Sequence, residues 1–231
     1  MSKLSIIVPV YNEESTIATS LERLTKLRLN GVDKEVIVVN DGSTDRTTEL
    51  LENFKNKCKI VHKSKNEGKG AAIRIGLKHA SGDIITICDA DLEYDVEDIP
   101  RMLLYMISND LDVVYGSRFL KRNPIKYVSY FLGNKFITLL INLFYSSSLT
   151  DACTCYKMFR RGIINSIRIT SRKFEVDVEL TCKFLKLGYQ INEIPISYTP
   201  RSFSEGKKIR FFDGIRAIFT IFKILIAEIS V

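Results

Sequence analysis

Across residues 4–117, apolar β-rich runs alternate with segments of helical period. The runs are LSIIVPV (4–10), EVIVVN (35–40), KIVHK (59–63), DIITIC (83–88) and DVVYGS (112–117). Helical periodicity fills 13–27, 45–56, 69–80 and 96–108, with Asn12, Thr44 or Asp45, and Asp95 as expected caps. Strand, helix, strand repeated four times predicts an α/β fold with a parallel sheet covered on both faces. Right-handed crossovers would bring every strand's carboxyl end to one edge. Ligands of such sheets bind outside those ends, where the strand order reverses.

Polar, turn-forming residues crowd that predicted edge. Pro9-Val10-Tyr11-Asn12-Glu13 follows the first run and Asp41-Gly42-Ser43-Thr44-Asp45 the second. Asn66-Glu67-Gly68-Lys69-Gly70, then Asp89 and Asp91, then Ser117 and Arg118 follow the others. The fourth run ends in ICDADLEYD, which puts Asp89, Asp91 and Glu93 within five positions. In an extended chain these three acids share one face, with neighbours ~7 Å apart. Mutual repulsion then raises their pKa values unless a cation intervenes, and a hard divalent ion with oxygen ligands resolves it. The competing reading is a solvated acidic turn, because D-x-D is a common chance pattern.

The second half is less regular. A long aromatic-rich helix is expected over 126–146, another helix over 174–187, a strand over 190–199, and an apolar helix over 211–229. Neither greasy segment offers ~20 uninterrupted apolar residues, so neither is expected to span a membrane. Charge is divided unevenly. Residues 1–115 carry 15 Lys and Arg against 19 Asp and Glu, whereas residues 116–231 carry 19 against 8. A basic, greasy half suits an anionic membrane surface. No helix-turn-helix, zinc-finger or RNA-binding signature accompanies it, so nucleic acid is not an expected partner. Five scattered cysteines fit a reducing compartment, and the opening residues read as a strand rather than a cleavable leader.

Single loops each have two readings. NEGKGAA lacks the ending of a P-loop, so its glycines start a helix or let Lys69 meet a phosphate. Asp41 accepts from a nucleobase or caps the next helix. Arg201, Lys207, Lys208 and Arg210 in PRSFSEGKKIR bind phosphate from a flexible lid or form a solvated face. Glu175 and Glu179 share a helical face, where Glu175 serves as a general base or merely pairs with a cation. His62 and His79 have no partner at ligand spacing.

Together these stretches resemble the family 2 glycosyltransferases of the GT-A fold, and more narrowly the polyprenyl-phosphate hexose synthases. The resemblance spans nearly the whole chain. It rests on SIIVPVYNEE (5–14), VVNDGSTDRT (38–47), NEGKGAAIRIG (66–76), DADLEYDVEDIP (89–100), GSRF (116–119), DACTCYKMFRR (151–161) and PISYTPRSFSEGKKI (195–209). It implies a GT-A (Rossmann-like), mostly parallel sheet flanked by helices, with C-terminal amphipathic helices at a membrane interface. The catalytic domain would be 1–210, with a nucleotide-sugar half (1–118), an acceptor half (119–210) and an apolar helix at 211–231. Pro9, Tyr11, Glu13, Asp41, Lys69 and Asp89 would hold the nucleotide sugar. Asp89, Asp91 and Glu93 would hold Mg²⁺ or Mn²⁺. Asp91, Arg118 and Arg201 would be catalytic, and Arg118, Asn134, Lys135 and Lys207 would meet the acceptor phosphate.

Three departures stand out: Glu93 where such synthases commonly carry Gln, Asn40 where Asp often stands, and SYFLGNK (129–135) where Arg and Ser can face the lipid phosphate. The implied reaction moves mannose or glucose from GDP-mannose or UDP-glucose to a polyprenyl phosphate, with inversion, at the cytoplasmic face of a membrane. A homo-oligomer or an integral-membrane partner is compatible with it. The alternatives are a hydroxyl acceptor with Glu175 as base, and a non-catalytic lipid-binding module. A sugar nucleotidyltransferase would need an N-terminal glycine-rich loop, and no glycine precedes Gly31.

Overall fold

The computed structural model describes residues 2–202, 205, 206, 208 and 210–227. Its strands are β1 (Lys3–Val10), β2 (Asp33–Asn40), β3 (Lys59–His62), β4 (Ile84–Ile87), β5 (Val113–Ser117), β6 (Lys157–Arg160) and β7 (Ile191–Pro195). Its helices are α1 (Ile17–Lys26), α2 (Thr47–Leu51), α3 (Lys69–His79), α4 (Asp98–Ser108), α5 (Val128–Tyr145), α6 (Arg161–Ile164), α7 (Val176–Lys186) and α8 (Phe211–Ile226). The strands form one sheet in the order β3-β2-β1-β4-β6-β5-β7. All six expected strands are present, the one expected over 190–199 shortened to β7. The sheet is mixed, because β6 runs antiparallel to both β4 and β5. Its sequence KMFR is short and charged at both ends, which hid it from pattern reading, although Lys157, Met158 and Phe159 are fully buried.

The helices form for ordinary reasons. Ile17, Leu21 and Leu24 on α1, and Ile99, Met102, Leu103 and Met106 on α4, recur at helical spacing and face the sheet. Gly76 lets α3 lie close on β1, since a Cβ there would sit 2.4 Å from Ile7 Cγ2. The expected caps are displaced by a few positions. The N-caps are Thr16, Arg46 and Glu97, while Asp45 and Asp95 each accept an amide two residues on, from Thr47 and Glu97.

β1 is central and buried almost throughout. Its links to β2 and β4 lie on opposite sides, so the order of strands reverses at the β1–β4 boundary. A second apolar cluster joins α5, α7 and α8 through Ile137, Ile141, Val178, Cys182, Ala217, Ile221 and Ile224. The apolar tail thus packs on the body of the chain rather than standing apart. Among the described residues no helix is long and apolar enough to cross a membrane.

Candidate active site

Two loops leave the sheet at the β1–β4 boundary. Strand β4 ends at Ile87, so the extended geometry expected for Asp89, Asp91 and Glu93 is not formed. The chain turns instead, with Leu92 at φ 61°, a conformation that costs a non-glycine residue roughly 1–2 kcal/mol and that clusters at functional sites. Past this turn the three acids part company. Asp89 accepts Lys69 Nζ at 2.9 Å. Asp91 accepts Arg201 Nη2 at 3.2 Å and the Glu93 amide at 3.0 Å. Glu93 accepts Tyr198 Oη at 2.6 Å and the Arg201 amide at 2.9 Å.

Glu93, expected as a third metal ligand, here engages other groups: its carboxylate latches Tyr198 and Arg201. Among the described residues no group of three His, Cys, Asp or Glu side chains is arranged to hold a metal ion. Asp89 and Asp91 remain as a pair. Burial, then the charges of Asp89 and Glu93, push Asp91 up to about 7. That unrelieved repulsion fits a divalent ion held by two carboxylates and completed by phosphate oxygens.

Glu13 gathers the opposite side of the rim. It accepts Arg201 Nη1 at 2.9 Å, Lys208 Nζ at 2.6 Å and Thr16 Oγ1 at 2.8 Å. Lys208 also donates to the carbonyls of Tyr11 and Asn12. Burial opposes the charge on Arg201, but Asp91, Glu13 and Glu93 more than restore it. The Nε of Arg201 is buried without a hydrogen-bond partner. Arg201 and Lys208 thus bring two cations over the carboxyl ends of β1 and β4, where Pro9, Tyr11, Glu13 and Asp91 lie. Lys207 falls outside the described residues.

Lys69, expected beside a phosphate, is here paired with two carboxylates. Its side chain is 9% exposed and bridges Asp89 to Asp177 Oδ2, the latter at 3.1 Å. Burial would lower its pKa, yet Asp177 and Asp89 hold it well above the ordinary lysine value. Asp177 is itself raised by burial and has Oδ1 without a partner. Asp41 is similarly committed, accepting Lys63 Nζ and the amides of Glu67 (3.1 Å) and Gly68 (2.6 Å). Gly68, at φ +99°, also lets the Arg172 backbone pack against this loop, since a Cβ there would lie 2.4 Å from Arg172 O.

Arg118 forms the third part of the site. Asp151 accepts from its Nε at 2.7 Å and Nη2 at 2.8 Å, and the Tyr198, Phe119 and Tyr94 rings lie 5.2, 5.5 and 6.0 Å from its guanidinium carbon. Lys135, from α5, sits 4.3 Å from the same Phe119 ring, with Asn134 half-exposed beside it. The expected acceptor residues Arg118 and Lys135 therefore flank one ring.

Glu175 shares no hydrogen bond or ion pair with these rim side chains, and its Oε2 is buried without a partner. Its Oε1 accepts the amides of Arg172 and Lys173, and it is Asp177, two residues on, that reaches Asp89 through Lys69. Sequence reasoning missed Asp177, Asp151 and Tyr198 in these roles. Asp151 and Tyr198 lie inside two of the quoted stretches, and Asp177 stands between Val176 and Val178 on the helix expected over 174–187.

One expectation follows directly. Replacing Glu93 by Ala removes two hydrogen bonds to a charged acceptor, each worth ~1.5–3 kcal/mol, from the 198–201 segment. Tryptic cleavage after Arg201 should then speed at least ~10-fold. Mn²⁺ affinity by calorimetry should fall far less than in Asp91→Ala. Equal loss in the two variants would return Glu93 to the metal.

The profile of glycosyl transferase family 2 matches residues 5–168. The chain belongs to this family. A dolichol-phosphate mannosyltransferase of Pyrococcus furiosus is 28% identical over 232 residues, covering 96% of this glycosyltransferase and 64% of the relative. The low-salt glycan biosynthesis hexosyltransferase Agl6 of Haloferax volcanii is 30% identical over 222 residues, covering 93% and 52%. An undecaprenyl-phosphate 4-deoxy-4-formamido-L-arabinose transferase of Pectobacterium atrosepticum is 32% identical over 172 residues, covering 72% and 51%. This family 2 chain thus spans between about half and two-thirds of the length of these relatives.

Among solved structures, glucosyl-3-phosphoglycerate synthase of Mycobacterium tuberculosis superposes with a TM-score of 0.75 at 18% identity, over 98% of this chain and 80% of that one. It was crystallised with Mn²⁺, uridine diphosphate and phosphoglyceric acid, and in another form with Mg²⁺ and uridine diphosphate. At this identity the likeness establishes the GT-A fold.

Proposed function

We propose that this glycosyltransferase moves a hexose from a nucleotide-diphosphate sugar to the phosphate of a polyprenyl lipid, peripherally, at the cytoplasmic face of a membrane. The carrying observation is the rim itself: a carboxylate pair at the strand-order reversal faces two cations, next to a ring-lined arginine. Relatives named for dolichol phosphate and undecaprenyl phosphate support the acceptor class. Pro9, Tyr11 and Glu13 would border the nucleoside, while Asp41 fixes the 67–68 backbone beside it. Asp89 and Asp91 would hold Mg²⁺ or Mn²⁺, which when bound supplies charge neutralisation on the departing diphosphate.

Arg201 and Lys208, released from Glu13, have the charge to bind that diphosphate. Arg118 is kept ionised by Asp151 and presents its remaining N–H groups to the acceptor phosphate, with Lys135 nearby. A phosphate oxygen attacks the anomeric carbon as the nucleoside diphosphate leaves, which inverts the centre. That oxygen is already ionised at neutral pH, so no general base is needed. The hydrogen bonds of Glu175 Oε1 to the amides of Arg172 and Lys173, rather than to any rim side chain, favour this reading over a hydroxyl acceptor.

The membrane side of the proposal rests on two helices. Val128, Leu132, Phe136, Leu139 and Leu143 form one exposed stripe on α5, and Phe212, Ile215, Phe219, Phe222 and Ile226 form another on α8. The helices pack together, with the Phe144 and Phe222 rings 5.0 Å apart. The test is a panel of GDP-mannose and UDP-glucose with Mn²⁺ and a short polyprenyl phosphate, products being identified by mass. Hexosyl-phosphate lipid from one donor is expected. Transfer only to a glycan hydroxyl, with lipid untouched, would refute the acceptor.

A further inference from the structure

A cavity of about 530 Å³ lies between the 170–175 segment and α8, away from the rim. Its walls carry Arg172, Lys173, Arg216 and Lys223. Among the described residues the side chains of Arg172, Lys173 and Lys223 have no hydrogen bond or ion pair, and Arg216 pairs only with Asp213, at 3.1 Å. Of the two acids in the walls, Glu179 is fully engaged, while Glu175 is engaged through Oε1 and keeps Oε2 buried without a hydrogen-bond partner, so the four cations outnumber one uncompensated carboxylate oxygen. Glu179 accepts the amides of Thr170 and Ser171 and the ammonium of Lys183, and Glu175 accepts the amides of Arg172 and Lys173.

The segment bearing the first two cations is a rigid platform. Ser171 O accepts Arg74 Nη1 at 2.6 Å and Arg172 O accepts the Ala71 amide at 3.2 Å. Its backbone also presses on α3, since a Cβ at Gly70 would lie 2.4 Å from Ser171 O. With the backbone tied down on one side, Arg172 and Lys173 are left exposed on the other.

On α8, Arg216, Thr220 and Lys223 recur at four- and three-residue intervals, so they share the face that lines the cavity. One step around the helix is the apolar stripe containing Phe219, which is 72% exposed, and Ile226, which is 84% exposed. A small soluble anion would satisfy the cations but leave that stripe in water. A phosphate carrying acyl chains satisfies both.

We propose that this groove binds the phosphate of an anionic glycerophospholipid, as a headgroup site separate from the acceptor site at Arg118. The inference rests on the membrane reading above, and deepens it by naming what the protein recognises in the bilayer. It gives the enzyme a preference for anionic membranes.

The experiment is vesicle co-sedimentation of the full chain without polyprenyl phosphate. Phosphatidylcholine vesicles are compared with vesicles holding about one-third phosphatidylglycerol, an anionic fraction at which each basic residue near the surface contributes ~1 kcal/mol. Wild type should bind the anionic vesicles at least ~100-fold more tightly. The variant Arg172→Gln/Lys173→Gln/Lys223→Gln should lose most of that increment. It should keep its binding to neutral vesicles and its turnover with a detergent-dispersed acceptor. A control, Lys55→Gln/Lys57→Gln/Lys59→Gln, removes the same charge from an exposed stretch leading into β3 and should keep the increment.

An equal drop in both variants would overturn the groove and leave general charge attraction. Displacement by millimolar glycerol 1-phosphate would overturn the lipid as occupant. Wild type that binds both vesicles equally would overturn the groove while sparing the membrane reading. Wild type that binds neither would overturn both.

Discussion

Replacing Asp91 by asparagine is expected to abolish sugar transfer and, at the same time, to stabilise the ligand-free fold at pH 8. The two effects have one cause. In the folded chain Asp91 is raised to about 7 by burial and by the charges of Asp89 and Glu93, whereas unfolded it titrates near 3.9. A carboxyl raised on folding contributes stability that is fully present below its unfolded pKa and is lost as pH climbs through its folded pKa. Above pH 7 the ionised group therefore costs the free protein on the order of a few kcal/mol, at ~1.4 kcal/mol per pKa unit. Asparagine removes that cost.

Scanning calorimetry should show a midpoint several degrees higher than wild type at pH 8, with the gap closing towards pH 4. Millimolar Mn²⁺ should raise the wild-type midpoint and leave the variant's unmoved. Turnover should fall at least ~1,000-fold, the scale set by removing one preorganised electrostatic group. A variant that is active, or that is less stable at pH 8, would show that Asp91 is a structural anion serving Arg201.

Lys69→Met should be the most damaging single change near the rim. It leaves Asp89 and Asp177 facing each other with their shared ammonium gone, and an uncompensated buried charge costs about 3–5 kcal/mol. Adding Asp177→Asn removes one of the two stranded charges and should recover a large part of the loss. Urea unfolding of the wild type, both single variants and the double variant gives the coupling energy directly. Additive effects would mean that the three groups do not act as a unit, and that Asp89 is held by something other than this bridge.

The parts of the fold written into local pattern were legible in the sequence. The five leading strands, the helices between them and the crowding of polar loops at one edge follow from periodicity and chain handedness alone. Strand β6 was not legible, because KMFR is too short to show alternation and its burial comes from neighbours distant in sequence. Asp89, Asp91 and Arg201 were named from their motifs, and the fold does bring Asp91 and Arg201 together. Their partners were a different matter. Whether Glu93 faces a metal or Tyr198 depends on the left-handed turn at Leu92, a backbone choice that its side chain does not advertise. Lys69 suggested a phosphate cradle. Its two carboxylate partners lie 20 and 108 residues away, and only the fold reveals the second.

The link between Arg201 and Glu13 joins positions 188 apart in the chain, and Lys208 adds a second link across 195. During synthesis the first strand and its acidic rim leave the ribosome long before these cations exist. The sheet can form early, but charge balance at its mouth waits for Arg201 and Lys208 to emerge. A nascent chain stopped short of residue 201 would carry an open, strongly anionic cleft, which closes only when these two cations have been made.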